Sequence, residues 1–385
     1  MRSPFFLSRR ISALALAVFL SLGIVLPATA QVNAGLNTPN PSKPFQETTV
    51  TTFDVPWALA FFQDGRMLVT EKAGRLFLVT QDGNKQQIGG VPKVEYSGQN
   101  GLLDVAISPH FDRDHSIYLT YSEPGPNGSS LALARAQLSG TENHLTLGNL
   151  HVIWRQMPKG HGGQPGGIVA FSPDGKHLFL TSGDRMRPET AQDPDQALGK
   201  VLRLNLDGTT PNDNPMASQG GVRAQTWTTG HRNPYGLAFA PDGKLWLDEM
   251  GPMGGDELNL LKPGRNYGWP VVSNGDNYDG TPIPRHDTHP EFEPPVLYWT
   301  PVIAPAGLTF YTGKLFPDWK GSAFIGSLRS QALVRVVIDA NGNAREADRW
   351  DMGQRIRDVA LAPDGALWLI EDAGKARLIR LTPKR

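Results

Sequence analysis

The 385-residue chain contains no cysteine. This absence excludes disulfide bonds, thiolate metal sites, a cysteine nucleophile and a lipid-anchored cysteine. The chain also lacks a basic surplus, because 37 basic residues are matched by 37 acidic ones, so its charge gives no indication of nucleic-acid binding. No long stretch has the 3.6-residue apolar period of a helix. Together with 42 glycines and 32 prolines, this favours an all-β fold with many turns.

Several common catalytic motifs are missing as well. The sequence has no P-loop, no GxGxxG between a strand and a helix, no HExxH and no GxSxG. Nucleotide cofactors and the usual hydrolase machinery therefore have no support in the sequence.

Residues 1–30 have the pattern of a secretory signal peptide. Arg9 and Arg10 precede an apolar run of roughly 16 residues, shorter than the roughly 20 that a spanning helix needs, and small residues end at Ala30. Cleavage after Ala30 would leave 34 basic and 37 acidic residues, a formal charge of −3. We expect a periplasmic or secreted protein without a membrane span, exported by either the general or the twin-arginine route.

The remaining chain repeats one unit of two apolar strands joined by a turn, often Asp-Gly. The six copies are Pro56–Glu71, Gly101–Ser122, Gly166–Asp184, Tyr235–Glu249, Ala306–Leu328 and Arg357–Asp372. Further strand pairs often follow a copy, which gives four strands per unit. Residues 46–385 therefore predict a six-bladed β-propeller with four-stranded antiparallel blades and a polar channel, preceded by an extended arm over residues 31–45. A β-sandwich or two smaller β-domains is the alternative.

Arginines in several units predict an anion site at the channel. Arg355 and Arg357 are two apart on a predicted strand and share one face. Two guanidiniums on one face repel unless an anion lies between them, and Arg binds carboxylates in a bidentate way. In a propeller, Arg232, Asn233 and Arg329 would converge on the same channel mouth. The alternative for each is an ordinary solvated surface residue.

Two other segments carry groups suited to chemistry. The Gly-Pro turn at Gly251 and Pro252, followed by acidic residues, offers hard oxygen ligands for Ca²⁺, although an ordinary acidic turn has the same composition. His161 lies in a glycine-rich loop and Asp184 ends the third strand pair, so the two could act as a base and its orienting partner. A surface histidine is the alternative.

These motifs, in this order, resemble those of the PQQ-dependent soluble aldose sugar dehydrogenases, of the soluble glucose dehydrogenase family. The resemblance spans nearly the whole chain after residue 30. Its motifs are PWALAF, GQNGLLDVAISPHF, LGKVLRLNLDG, GHRNPYGLAF, EMGPMGGDELNLL, NYGWP, IAPAGLTFY and RIRDVALAPDG. The family fold is a six-bladed propeller. Its cofactor, pyrroloquinoline quinone (PQQ), carries three carboxylates, and Ca²⁺ polarises the reactive carbonyl of that cofactor.

The resemblance implies roles for individual residues. Cofactor contacts are expected from Arg232, Asn233, Arg355 and Arg357, and from Arg329, which stands where the family often has a lysine. Backbone carbonyls of Gly251 and Pro252 would bind the Ca²⁺ that bridges to the cofactor, and Glu257 with the Tyr267 carbonyl would form a second, structural calcium site. Gln99 and Asp184 match positions on the sugar side.

Two further departures from the family pattern concern the chemistry. Val302 stands at a position that usually bears a hydroxyl, and Gln164 aligns with the catalytic histidine. A neutral amide cannot accept a proton, so the sequence favours His161 as the base, provided that the loop carries it into the position of Gln164.

The expected reaction is oxidation of the anomeric carbon of an aldose to a lactone, with hydride transfer to PQQ. Its partners would be the sugar and an external electron acceptor, a cytochrome or a quinone, and the chain would be a monomer or a homodimer. The alternative is a cofactor-free propeller that acts as a calcium-dependent lactonase-like hydrolase or binds an anionic ligand.

Overall fold

The computed structural model describes Met1 and residues 31–141 and 144–384. The predicted signal peptide, apart from Met1, lies outside the described residues. Among the residues described, no helix has the length and apolar character needed to cross a membrane.

Strands make up almost all of the regular structure. Two strands come before blade 1 in the sequence: β1 (Val32–Asn33) and β2 (Phe45–Phe53), which belongs to blade 6. Blades 1 to 3 contain β3 (Pro56–Phe61), β4 (Met67–Glu71), β5 (Arg75–Val79), β6 (Lys85–Ile88), β7 (Leu102–Ile107), β8 (Ser116–Gly125), β9 (Gly128–Thr141), β10 (His144–Arg155), β11 (Gly166–Phe171), β12 (His177–Ser182), β13 (Lys200–Asn205) and β14 (Thr226–Thr229).

The second half continues in the same way. Blades 4 to 6 and a small ribbon contain β15 (Pro234–Phe239), β16 (Leu245–Glu249), β17 (Met253–Gly254), β18 (Asp256–Leu260), β19 (Gly275–Asp276), β20 (Leu297–Trp299), β21 (Pro305–Phe310), β22 (Ala323–Ser327), β23 (Ala332–Ile338), β24 (Ala344–Asp351), β25 (Ile356–Leu361), β26 (Leu367–Glu371) and β27 (Ala376–Pro383). Within the described residues the helical segments are short: α1 (Phe111–Asp114), α2 (Gly221–Gln225) and four 3₁₀ turns at Pro188–Ala191, Ala217–Gln219, His286–Thr288 and Pro317–Trp319.

The prediction of six four-stranded antiparallel blades is confirmed. The blades are β3–β6, β7–β10, β11–β14, β15-β16-β18-β20, β21–β24 and β25-β26-β27-β2, while β17 and β19 form a separate two-stranded ribbon. The first strand of each blade is innermost, and consecutive inner strands contact one another around a ring. Residues from all six inner strands line a central cavity of about 350 Å³.

The Asp-Gly turns explain why the first two strands of several blades pair as hairpins. Asp64 and Asp364 each accept a hydrogen bond from the backbone N–H two residues further on. The following glycines, Gly65 and Gly365, have φ angles of 86° and 88°, which a residue without a Cβ adopts at little cost. The turn residues thus fix the position at which the chain reverses.

The N-terminal segment follows the outer edges of the last three blades. β1 pairs in parallel with β20 of blade 4, Asn40 forms a bridge with Trp350 of blade 5, and β2 pairs with β27 as the outermost strand of blade 6. Blade 6 is therefore built from both ends of the domain, which closes the ring of blades.

Candidate active site

The inner strand of every blade has a register shift against its neighbour near its first residue. A bulge of this kind bends the strand and redirects a side chain, and bulges are frequent beside functional sites. Trp57, Tyr235 and Arg357 lie within the shifts of blades 1, 4 and 6. The bulges bring these three residues to one cavity at the end of the channel.

This cavity, the mouth cavity, has a volume of about 280 Å³. It is lined by Trp57, Lys72, Gly98, Gln99, Tyr235, Met250, Ala304, Leu328, Arg355, Arg357 and Asp372. Its charged residues are three cations and one carboxylate. An excess of positive charge in a partly closed space favours binding of an anion.

Asp372 is the carboxylate that allows two guanidiniums to share this space. Arg355 Nη2 and Arg357 Nη2 lie 2.6 and 3.0 Å from Asp372 Oδ2. Burial would raise the pKa of Asp372, but Arg357 and then Arg355 outweigh that effect and hold the pKa below its usual value. The anion that the sequence requires between the arginines is therefore supplied in part by the protein.

Arg357 keeps hydrogen-bonding capacity despite this ion pair. Its guanidinium carbon lies 6.0 Å from the ring centroid of Trp57 and 5.7 Å from that of Tyr235. Its Nε is buried and has no acceptor among the described residues. A buried N–H without a partner carries a desolvation cost, which a bound acceptor would remove.

Lys72 is the third cation. It directly follows β4, is only 8% exposed, and donates from Nζ to the Gly98 carbonyl at 2.5 Å. Burial lowers the pKa of Lys72, and Arg357 lowers it further. The mouth cavity therefore contains a desolvated ammonium beside the arginine pair.

A second polar group lies next to the mouth cavity. The Gln164 backbone N–H donates to Gln99 Oε1 at 2.5 Å, and Gln99 lines the cavity. With its amide oriented to satisfy both neighbours, Gln164 donates to Asp184 Oδ1 at 2.5 Å and accepts from Arg232 Nη2 at 2.9 Å. The amide of Gln164 is thus fixed at both ends.

Asp184 and Arg232 are themselves held by aromatic residues. Trp269 Nε1 donates to Asp184 Oδ2 at 2.8 Å, and the guanidinium of Arg232 lies 5.4 Å from the Trp269 ring centroid. Burial raises the pKa of Asp184 to about 6, in spite of the Trp269 hydrogen bond. Asp184 is therefore a buried carboxyl group that Trp269 and Gln164 both hold by hydrogen bonds.

Comparisons with known proteins identify the family of this chain. The profile of the Glucose / Sorbosone dehydrogenase family matches residues 53–380. The chain belongs to this family. It is 40% identical over 342 residues to the aldose sugar dehydrogenase YliI of Escherichia coli, covering 86% of this chain and 91% of that protein.

Solved structures of the same kind superpose over most of the chain. A crystal structure of a glucose dehydrogenase has a TM-score of 0.84 at 40% identity and covers 88% of this chain and 100% of its own. The PQQ-bound form of an aldose sugar dehydrogenase from Streptomyces coelicolor has a TM-score of 0.71 at 27% identity, covering 90% and 100%.

The predicted cofactor residues of this glucose/sorbosone dehydrogenase family member occupy different environments. Arg355 and Arg357 line the mouth cavity, whereas Arg232 lines a small cavity beside it. Asn233 is buried, and its Oδ1 has no partner among the described residues. Arg329 is exposed, and its side chain makes no hydrogen bond or ion pair with the part of the chain that the structure describes. Of the five, Arg355 and Arg357 line the mouth cavity, so this structure does not show the predicted convergence for Arg232, Asn233 or Arg329.

The preferred base is not at the site in this structure. His161 is exposed and lines neither the mouth cavity nor the small cavity. The loop keeps Gln164 buried between Asp184 and Arg232 and leaves His161 three residues away on the surface. The condition on which the sequence favoured His161, a shift of the loop into the Gln164 position, is not fulfilled.

The predicted calcium ligands also have different contacts in the structure. The Gly251 carbonyl accepts a hydrogen bond from Arg232 Nη1 at 2.8 Å, so in this arrangement a guanidinium takes up that oxygen, while Pro252 beside it is buried. Glu257 and Tyr267 line a cavity of about 10 Å³, which has the size of one water molecule or ion. Among the described residues, no three His, Asp or Glu side chains are grouped as metal ligands. Gly251 and Arg232 line the same small cavity, so the cavity that Glu257 and Tyr267 line also contains a guanidinium. Both calcium sites stay predictions.

Sequence reasoning missed Lys72 and Asp372, although a signal for them was present. The residue that directly follows the second strand lines the mouth cavity in four blades: Lys72, Met250, Leu328 and Asp372. Aligning the repeat units at the ends of β4, β16, β22 and β26 would have found both charges.

Proposed function

We propose that this protein is a periplasmic or secreted oxidoreductase that oxidises aldose sugars to lactones with PQQ as cofactor and an external electron acceptor. The observation that carries the proposal is the arginine pair of the mouth cavity. Arg355 and Arg357 share one carboxylate, and Arg357 retains a buried N–H without an acceptor. A planar polycarboxylate would supply the missing acceptors.

The mouth cavity fits such a cofactor in its chemistry. Arg355 and Arg357 would bind its carboxylate and quinone oxygens, while Trp57 and Tyr235 supply aromatic surface next to them. When bound, PQQ supplies the hydride acceptor for sugar oxidation. The chain's own part is to hold an anionic ring, to exclude water from it and to keep positive charge next to the developing oxyanion.

On the sugar side, the protein presents amides rather than an imidazole. Gln99 lines the mouth cavity and Gln164 is fixed behind it by Asp184 and Arg232. Asp184 orients the Gln164 amide. We infer that these groups orient the sugar. Because amides do not accept a proton efficiently, we also infer that removal of the sugar's hydroxyl proton limits the rate at this site.

Calcium enters the proposal as a structural ion that Glu257 and the Tyr267 carbonyl would hold at the small cavity, which both residues line. Glu257 carries a carboxylate that Asn259 Nδ2 holds at 3.0 Å. No step of the reaction is assigned to a calcium at Gly251, because Arg232 takes up that carbonyl.

The fixed amide of Gln164 favours a second candidate, a propeller that binds an anionic ligand, or hydrolyses a lactone with calcium, without oxidising sugars. One experiment separates the two. Purified protein without residues 1–30 is mixed with PQQ and Ca²⁺, and aldoses are added with a redox dye. Dye bleaching that requires both PQQ and the sugar supports the oxidoreductase. PQQ binding without turnover of any aldose would favour the second candidate.

A further inference from the structure

Lys72 is a buried cation of the mouth cavity whose hydrogen-bonding capacity is only partly used. An ammonium group has three N–H donors. Among the described residues, the one acceptor within reach of Lys72 Nζ is the Gly98 carbonyl. The Tyr96 ring centroid lies 5.7 Å away and adds a weaker attraction. At least one donor therefore remains for a ligand in the cavity.

The charges around Lys72 leave it without a carboxylate of its own. Asp372 lies against Arg355 and Arg357, at 2.6 and 3.0 Å. Lys72 makes no ion pair with any described residue, although it is almost fully buried. A desolvated cation next to two others is electrostatically unfavourable. An anion bound in the cavity would offset this cost by attracting all three cations.

We propose that Lys72 is a third cationic binding residue of the mouth cavity and that it holds a carboxylate of an aromatic polycarboxylate such as PQQ. Lys72 reaches the ligand from blade 1, whereas Arg355 and Arg357 belong to blade 6. This inference rests on the proposed function and adds a contact from a blade to which the sequence had assigned no cofactor residue.

The same geometry argues against Lys72 as the missing base. A base must lose its proton before it can accept another. Carboxylates that enter the cavity stabilise the protonated ammonium and oppose that loss. Lys72 therefore acts as a positive point charge rather than as a proton acceptor.

The test is a titration of PQQ into the Ca²⁺-supplemented protein at several salt concentrations, followed by absorbance or by quenching of tryptophan fluorescence. Lys72→Gln keeps a donor for the Gly98 carbonyl but removes the charge. It should weaken PQQ binding by about ten- to a hundred-fold and reduce the dependence of affinity on salt. Lys72→Arg should keep most of the affinity.

The matched control is Lys85→Gln. Lys85 is exposed on β6 of the same blade, donates to the Thr52 carbonyl and lies over the Phe53 ring. This variant should bind PQQ within about two-fold of the unmodified protein, because its charge lies on an exposed outer strand.

A second readout separates binding from folding. Without PQQ, Lys72→Met should melt at the same temperature as the unmodified protein or higher, because the substitution removes an unpaired buried charge. PQQ should raise the melting temperature of this variant by less than it raises that of the unmodified protein. If the unmodified protein binds PQQ and Lys72→Gln binds it equally well, the inference is overturned and the proposed function stands. If the unmodified protein takes up no PQQ, the proposed function fails and this inference fails with it.

Discussion

At the scale of the residue, one carboxylate compensates the positive charges at the channel mouth. Asp372 contacts Arg355 and Arg357, and it is mostly buried. The side chains of Asp372 and Arg357 are 13% and 10% exposed, whereas that of Arg355 is 44% exposed, so only the pair with Arg357 is buried. Removing one partner from a buried ion pair leaves uncompensated charge, which typically costs about 3–5 kcal/mol. The three cations of the mouth cavity would then face one another.

We therefore expect Asp372→Asn to lower the free energy of unfolding by about 3 kcal/mol in the absence of cofactor, as measured by urea denaturation. The matched control is Asp64→Asn, which removes an exposed ion pair with Arg66 and should cost about 0–1 kcal/mol. Equal costs for the two variants would mean that the mouth charges are screened by solvent and that the cavity is not a charged site.

Gln164 gives the second prediction at this scale. His161 is exposed and lies outside both cavities, so His161→Ala should leave sugar oxidation by the reconstituted protein within about two-fold. Gln164→His would place an imidazole beside Asp184, and general-base catalysis typically contributes about 10²–10⁴-fold. We expect a rise in kcat of at least about ten-fold, measured by dye reduction with an aldose.

Two results would contradict this account of the proton acceptor. A large loss in His161→Ala would show that the loop does carry the histidine to the substrate. A loss of activity in Gln164→His at unchanged PQQ affinity would show that the amide itself is needed on the sugar side.

At the scale of the element, threonine hydroxyls beneath the bulges connect neighbouring blades. Thr70 accepts from the Ala58 N–H at 3.0 Å and donates to the Leu103 carbonyl of blade 2 at 2.7 Å. Thr181 makes the same pair of contacts from blade 3 to blade 4. Each hydroxyl satisfies a backbone group that the bulge frees from the sheet, so the bulges can be kept without unpaired buried N–H groups.

Asp248 stands at this position in blade 4, one residue before the end of β16. Both of its carboxylate oxygens are buried without a partner among the described residues. Burial raises its pKa well above the usual value, and the nearby Asp256 adds to the shift. A buried carboxylate in this place destabilises the fold whenever it is ionised.

We predict that Asp248→Thr raises the free energy of unfolding at pH 7 by about 1–3 kcal/mol, measured by thermal or urea denaturation. For Asp248 the folded pKa exceeds the unfolded one, so its unfavourable contribution is absent below the unfolded pKa and grows as pH rises towards the folded pKa. The difference between variant and unmodified protein should therefore be larger at pH 7 than at pH 4. A difference that does not change with pH would contradict the raised pKa.

The strand pairs and their turns could be predicted from sequence because their signals are local. Where a hairpin has an Asp-Gly turn, one side-chain hydrogen bond and one left-handed glycine fix it, as at Asp64 and Gly65. The register shifts carry no such signal. They depend on contacts between blades, such as the one from Thr70 to Leu103, and these pairings are non-local.

The candidate site was predictable to a similar extent. Arg355 and Arg357 could be placed at the channel from their spacing and from the prediction that their strand is the innermost of a blade, although Arg355 precedes β25 and Arg357 lies in its bulge. Their shared partner Asp372 follows β26, and Lys72 follows β4 in blade 1. Neither residue is close to the arginines in a motif, and only an alignment of the repeat units shows that both occupy the same position in their blades. The position of His161 depended on how a glycine-rich loop folds, and glycine permits more conformations than the sequence can rank.

At the scale of the whole molecule, the ring is closed by strand β2. It pairs along β27 from Phe45 to Phe53, so the blade that carries Arg355, Arg357 and Asp372 depends on the N-terminal segment. Phe45 is buried, and its ring packs edge-on against Trp350 of blade 5, with centroids 5.3 Å apart. Closure thus links the last two blades.

We expect Phe45→Ala to lower the free energy of unfolding by about 3–5 kcal/mol, the usual cost of emptying a buried phenylalanine site. Leu36→Ala is the control, because Leu36 is 79% exposed in the same N-terminal segment and should change stability by less than about 0.5 kcal/mol. Urea denaturation checks both. A small effect of Phe45→Ala would mean that β2 is not needed for the fold's stability.

The central claim is that the channel mouth binds a carboxylated quinone through cations from different blades. Isothermal titration of PQQ into the unmodified protein and into Arg357→Leu, both with Ca²⁺, tests it most directly. The account predicts one site per chain with a dissociation constant of about 1 μM or tighter for the unmodified protein, and binding at least about ten-fold weaker for the variant. Equal affinities for the two proteins, or no heat of binding with the unmodified one, would contradict it.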